Sequence, residues 1–478
     1  MNPASEASSQ YPLWALTATE LAQGYAAGHF SPTDAVEAVL ARMAAVNPLI
    51  NAVIAFDAVA TRAAAASSSE RHRTGRALGP LDGVPITVKD NIKVAGLTAT
   101  WGSALYSDLV PDIDELPIAR LRAAGAVVIG KTNCPEFTLQ GVTSNASFGT
   151  TRNPWNLALT PGGSSGGAVA AVAAGIGPVA IATDGGGSIR RPASYTNLVG
   201  LKPSRGRVPR SDGFAPILFD YETIGPIARS VADVALVMSA ISQPDRRDPA
   251  SLGLVDPAGQ PEIRSARILY VPRFGEAPVE PEILNALGTA VARLRELGHV
   301  VEEKAVPFDI DAINAAWPVI SQSGLAWLAA GLPDFDALAT PAIREMAAAG
   351  ARYGATAYVD ALMKVRALQV DMAEVFATHD FVLTPSAAAS PWPVEDGFPA
   401  QIDGQTVGGR GHAIYTAFVN LSGCAGVNLP CGCTEAGLPI GMQLVAAPGR
   451  DAQLLTIADQ CERAGLWRAT RPSQLMGA

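Results

Sequence analysis

The sequence is short of the features that several protein classes require. It has no run of lysine or arginine suited to a phosphate backbone, and its formal charge is −9, so nucleic acid is excluded as an expected partner. Cysteine is scarce: there are five. Cys424, Cys431 and Cys433 lie in LSGCAGVNLPCGCTEAG without the paired C-x-x-C spacing of a zinc site, so no metal, no cofactor and no disulfide is expected from them. They read as buried thiols, and the setting reads as cytoplasmic. The opening stretch MNPASEASSQYPLW lacks a basic region followed by an apolar one, so no secretory signal is expected. Long strongly apolar runs are also missing. Residues 157 to 183 carry no charge, but they open on Pro, Gly and Ser, continue mostly as Ala, and are interrupted by Gly175, Gly177 and Pro178. A buried helix followed by a buried strand fits this stretch better than a membrane span.

What is present is a chain of 478 residues, 48% hydrophobic, long enough for a large core. TATEL offers a capping box of Thr17 and Glu20. SPTDAVEAVLARM opens with Ser31 as N-cap, Pro32 at the first helical position and Asp34 in the first turn. LDGVPITVKDN reads as a strand with Val84, Ile86 and Val88 on one face and Thr87 and Lys89 on the other. LPIARLRAAG then reads as a helix and AVVIGKTN as an apolar strand, a step repeated by AVAAVAAGIG and PVAIATD. Apolar strands alternating with helices predict an α/β fold, a large mixed and mostly parallel sheet covered by helices on both faces. Further on, LNALGTAVARLRELG is an amphipathic helix, 310 to 375 is helix-rich, FVLTPSAAASPWP is a strand entering a Pro-rich loop, and LPIGMQLVA and DAQLLTIADQCERAG form a last strand and helix. With no low-complexity linker and no repeat, residues 1–478 are expected to form one domain with a helix-rich portion.

The chemistry concentrates in two glycine–serine clusters. In ATDGGGSIRRPAS, Gly185, Gly186 and Gly187 precede Ser188. Backbone N–H groups of such a turn can converge where an oxyanion develops, with the serine placed to attack; an ordinary tight turn is the plain alternative. In LTPGGSSGGAVA, Gly162 to Gly166 fit G-x-S-x-G around Ser164, the nucleophile elbow of α/β-hydrolases. That elbow needs a strand before it, whereas RNPWNLALTP reads as a loop. It also needs a later histidine, and His299, His379 and His412 all read as lying in surface loops or helix ends. A buried neutral lysine can replace histidine as base. Lys89, ending an apolar strand, is the candidate; an ion pair to Asp90 or another carboxylate is its alternative.

GVPITVKDN, PGGSSGG and TDGGGSIRRPAS, in this order and with Lys89, Ser164 and Ser188 separated by 75 and 24 positions, together resemble the amidase signature family of Ser-Ser-Lys hydrolases. The resemblance is densest from Thr17 to Met238 and returns near LPIGMQLV. It implies that Ser188 is the nucleophile, Ser164 the middle serine held by a cis peptide bond, and Lys89 the terminal base. It assigns the oxyanion hole to the N–H groups of Gly185, Gly186, Gly187 and Ser188. Ser165, Asp184 and Arg190 are expected to orient this loop. The implied activity is hydrolysis of a linear or cyclic small-molecule amide to acid and amine through an acyl-enzyme, without cofactor or metal. The resemblance leaves a homodimer open. The alternatives are an α/β-hydrolase-type esterase and the glutamine-hydrolysing subunit of a tRNA-dependent amidotransferase. Gly185, where much of the family has Thr, and Arg191 depart from the amidotransferase pattern TGGSIRQ. The acyl pocket is expected from residues 138 to 145 with Trp317, Trp327 and Tyr358, lining a site for an aryl or medium-sized apolar acyl group.

Overall fold

The structure is a computed structural model describing residues 12–254, 263–468 and 470–475. Residues 1–11, most of the opening stretch in which no secretory signal is expected, lie outside the described ones.

The expected helix starts form as their sequences dictate. Thr17 accepts from the Glu20 N–H while the Glu20 carboxylate accepts from the Thr17 N–H, opening the helix Ala18–Ala27; Ser31 and Asp34 do the same for Pro32–Ile50. Each pair satisfies N–H groups that the first turn of a helix leaves without an internal partner. The charge-free stretch becomes the helix Gly166–Ala174 and the strand Val179–Asp184, both buried throughout. Among the described residues no helix is long and apolar enough to cross a membrane.

Eleven strands form one mixed sheet. Parallel pairing occurs in two blocks: Val127–Thr132, Pro85–Lys89 and Val179–Asp184 in one, and Phe381–Pro385, Arg267–Tyr270 and Val300–Glu303 in the other. Between them Thr223–Ala228, Val199–Lys202, Ala425–Cys433 and Pro439–Ala446 pair antiparallel. Two of these strands carry a proline that argues against a strand in sequence. Pro226 sits opposite Ile181. Pro430 stands at a bulge. Both sheet faces are covered, as alternate residues of one strand show: Val179 and Ile181 pack into one apolar cluster, Ala180 and Ala182 into another.

The helix-rich portion comprises Ile310–Ala330, Phe335–Leu338, Pro341–Gly350 and Ala355–Thr378. Its buried side chains, among them Trp317, Ile343 and Val365, join the larger sheet cluster. Two expectations need correction. Cys433 is exposed, because it ends its strand beyond the bulge, while the other cysteines are buried. His299, His379 and His412 are buried rather than in surface segments; each follows a helix end or turn that leads straight back into packed structure. Ile181, fully buried with a strand paired on either side, marks the centre of the core. Ile181→Ala should lower stability by about 2–5 kcal/mol, read as a lower midpoint in urea denaturation.

Candidate active site

Lys89 is the last residue of its strand, and Thr183 and Asp184 end the neighbouring parallel strand. The carboxyl ends of parallel strands are where open α/β sheets build their sites, because the loops leaving them diverge and open a crevice. Lys89 is fully buried. Its Nζ donates to Ser164 Oγ at 2.8 Å, to Thr183 Oγ1 at 3.0 Å and to the Thr183 carbonyl at 3.4 Å. The expected alternative, an ion pair to Asp90, is not formed; Lys131 takes that place at 3.5 Å. Burial pushes the Lys89 ammonium down to about 8, against the opposing pull of Glu222 and Asp184. The missing charge partner is what lets desolvation prevail.

Ser164 stands after the cis peptide bond Gly163–Ser164. The residues before it, 157 to 163, contain no strand, so no nucleophile elbow is formed. Ser165 Oγ donates to the Thr183 carbonyl at 3.2 Å, tying this loop to the strand end beside Lys89.

Beyond Asp184 the chain turns through Gly185–Gly187 to Ser188. Asp184 is fully buried and holds this turn from within: its Oδ1 accepts from the Gly187 N–H at 2.6 Å and its Oδ2 from the Ile189 N–H at 3.1 Å. The same carboxylate takes both arms of Arg190, Nη2 at 2.8 Å and Nε at 2.9 Å. Burial alone would raise the Asp184 carboxyl, but the Arg190 guanidinium and the Gly187 N–H outweigh it and hold it below the usual carboxylate range. Gly187 has φ +112°, and a Cβ there would lie 2.2 Å from Thr416 Oγ1, so only glycine fits. Its N–H is committed to Asp184 and so is not free for an oxyanion. The N–H groups of Gly185, Gly186 and Ser188 have no acceptor among the described residues. At Gly185 a Cβ would meet Leu218 Cδ1 at 2.5 Å; Leu218 fills the space that a side chain would take.

Ser188 lies at the wall of a cavity of about 440 Å³ shared with Gly185, Gly186, Arg191, Trp317 and the loop Thr138–Val142. Of the expected pocket residues, Trp327 is 63% exposed, away from the cavity, and Tyr358 lines a different hollow beside Phe219. A larger hollow of about 1160 Å³ near Tyr25 and His72 holds none of the candidate residues.

Residues distant in sequence complete the loop's support. Arg190 also donates to the Gln443 and Asn420 side chains, both at 2.6 Å, and Asn420 donates to the Asp184 carbonyl at 2.8 Å. Arg191 and Thr416 both donate to the Gly186 carbonyl at 2.7 Å, and Arg191 also reaches the Gly163 carbonyl at 3.3 Å, linking the two serine loops. No local pattern around Thr416, Asn420 or Gln443 signals this role.

The amidase family model matches residues 34–455. The chain belongs to the amidase signature family. It is 36% identical to a glutamyl-tRNA(Gln) amidotransferase subunit from Symbiobacterium thermophilum, over 96% of this chain and 98% of that one. It is 34% identical to an acylamidase of Rhodococcus erythropolis, over 96% and 97%. Among solved structures, a bacterial aryl acylamidase superposes with TM-score 0.87 at 30% identity, over 97% and 98%. A 6-aminohexanoate cyclic dimer hydrolase superposes with TM-score 0.83 at 30% identity, over 97% and 100%. The family acts by hydrolysing carbon–nitrogen amide bonds, and this amidase shares that reaction class.

The Asp184–Arg190 pair sets a test that needs no substrate. Arg190→Met leaves a carboxylate buried without its cation and should destabilise the fold by about 3–5 kcal/mol, with Arg190→Lys intermediate because it keeps the charge and loses the fork. Denaturant unfolding of the three proteins checks the order.

Proposed function

We propose that this amidase hydrolyses a small-molecule carboxylic amide through a Ser188–Ser164–Lys89 relay and an acyl-enzyme. The contact between the buried Lys89 amine and the Ser164 hydroxyl, 2.8 Å, is the observation that carries the reading.

Neutral Lys89 accepts a proton from Ser164, which takes the proton of Ser188 as the Ser188 oxygen attacks the amide carbonyl carbon. The carbonyl oxygen becomes an oxyanion facing the N–H groups of Gly185, Gly186 and Ser188. The proton returns through Ser164 to the leaving nitrogen, the carbon–nitrogen bond breaks, and the amine departs. Water, losing its proton along the same relay, then cleaves the acyl-enzyme to the acid. Amide nitrogen leaves poorly unless protonated, so the returning proton matters most at that step. Asp184, Arg190 and Ser165 act as positioning residues for the two loops.

The pKa of Lys89 makes the relay workable near neutrality. With a value of about 8, about one-tenth of the amine is neutral at pH 7, against less than about one in a thousand for an ordinary lysine. Because the neutral form is the active one, kcat/KM should rise with pH and level off above about 8.

A stand-alone amide hydrolase is favoured over an ammonia-supplying subunit by Gly185 and Arg191, which depart from the amidotransferase pattern, and by the structural likeness to an aryl acylamidase and a cyclic dimer hydrolase. The 36% identity to an amidotransferase component keeps glutamine in the assay panel; hydrolysis of glutamine above all other amides would favour the ammonia-supplying reading. A fluorophosphonate should label Ser188, and labelling should vanish in Ser188→Ala. Lys89→Ala should lose about 10²–10⁴-fold in kcat/KM, and wild-type turnover in that variant would remove the base from the mechanism.

A further inference from the structure

The charges around the cavity do not balance. Its one lining carboxylate, Glu222, is already bound by Arg210 at 2.7 Å. Two guanidinium groups line the same space, and neither has an acid partner among the described residues. Arg191 spends its donors on the neutral oxygens of Gly186, Thr416 and Gly163. The Arg410 guanidinium donates to none of the described residues; it lies over the Trp317 ring at 5.2 Å, a contact that fixes its position but does not neutralise it. Arg410 is exposed to solvent and stays charged at neutral pH.

His412, two residues on in a short 3-10 turn, faces the same cavity. It is 3% exposed, and neither ring nitrogen has a hydrogen-bond partner among the described residues. A Cβ on Gly141, also in the cavity wall, would come within 2.6 Å of His412 Nε2; glycine at this position leaves that nitrogen open. Burial first, then the Arg191 and Arg410 charges, hold the ring well below its usual range. It is therefore a neutral imidazole with an N–H to donate. A buried donor without an acceptor costs stability, while Arg410 is an exposed cation at the edge of the same cavity, and one anionic ligand group can meet both.

We propose that the amide cleaved by this enzyme carries a carboxylate, held beside Ser188 by the Arg410 guanidinium and a ring N–H of His412. A carboxylate offers two coplanar acceptors, matching the arginine fork and leaving an oxygen lone pair for the imidazole. The apolar acyl group expected from sequence is thereby replaced by an anionic substrate, in a cavity whose size suits a small molecule. The inference rests on Ser188 being the nucleophile, and the experiment separates the two.

Two pairs of amides that differ only in the anion place the carboxylate on either side of the scissile bond: adipamate with 6-hydroxyhexanamide, and hippurate with N-(2-hydroxyethyl)benzamide. The same compounds are scored for slowing fluorophosphonate labelling of Ser188, so binding is read even where turnover is slow. At least one carboxylate member should surpass its neutral partner by about tenfold or more. Arg410→Gln should bring that ratio to about one through KM, Arg410→Lys should restore part of it, and Gly141→Ala should reduce it by crowding His412. Labelling at Ser188 with no preference in either pair, or a preference that survives in Arg410→Gln, overturns the carboxylate subsite and leaves the relay standing. Absence of labelling at Ser188 overturns both.

Discussion

The bidentate contact between Asp184 and Arg190 is the constraint around which the site is arranged. Both groups are fully buried, where an unpaired charge is costly and a fully hydrogen-bonded pair is tolerated. Every remaining acceptor and donor is used: Asp184 takes the Gly187 and Ile189 N–H groups, and Arg190 reaches Thr416, Asn420 and Gln443. The pair thus pins the turn between strand and helix from one side and fastens it to the far part of the sheet from the other. The glycines give that turn its shape, and the ion pair keeps it there.

Lys89 answers the opposite electrostatic problem. Asp90, its neighbour in sequence, is engaged by Lys131, and the contacts of Lys89 are all to neutral oxygens of Ser164 and Thr183. A strand end that withholds a counter-ion from a buried amine lowers its proton affinity without any special residue. Asp184 is held ionised and Lys89 is pushed down to about 8 because one has its partner in contact and the other does not. The two opposite outcomes arise at the ends of adjacent strands.

The linkage between the serine loops is just as economical. Arg191 contacts the Gly163 carbonyl of one loop and the Gly186 carbonyl of the other, so a single side chain bridges the two serine loops. Its charge, unmatched by a carboxylate, adds to that of Arg410 in setting the character of the cavity.

Much of this was legible in the linear chain, for local reasons. Capping boxes, the helix-to-strand steps and the paired glycine–serine clusters depend on residues within a few positions of each other, and the three motifs around Lys89, Ser164 and Ser188 resemble those of the family, with their spacing in support. The antiparallel centre of the sheet escaped because Pro226 and Pro430 argue against strands until a partner and a bulge accommodate them. Thr416, Asn420 and Gln443 escaped because nothing local distinguishes a polar residue that will meet Arg190 from one that will meet water. His412 is buried although its local sequence reads as a surface loop, for the same reason. Sequence by itself determined which groups could react, since side-chain chemistry and turn geometry are written residue by residue. Only tertiary structure decided which of those groups are left without partners, because burial and pairing are properties of neighbours brought together across the whole fold.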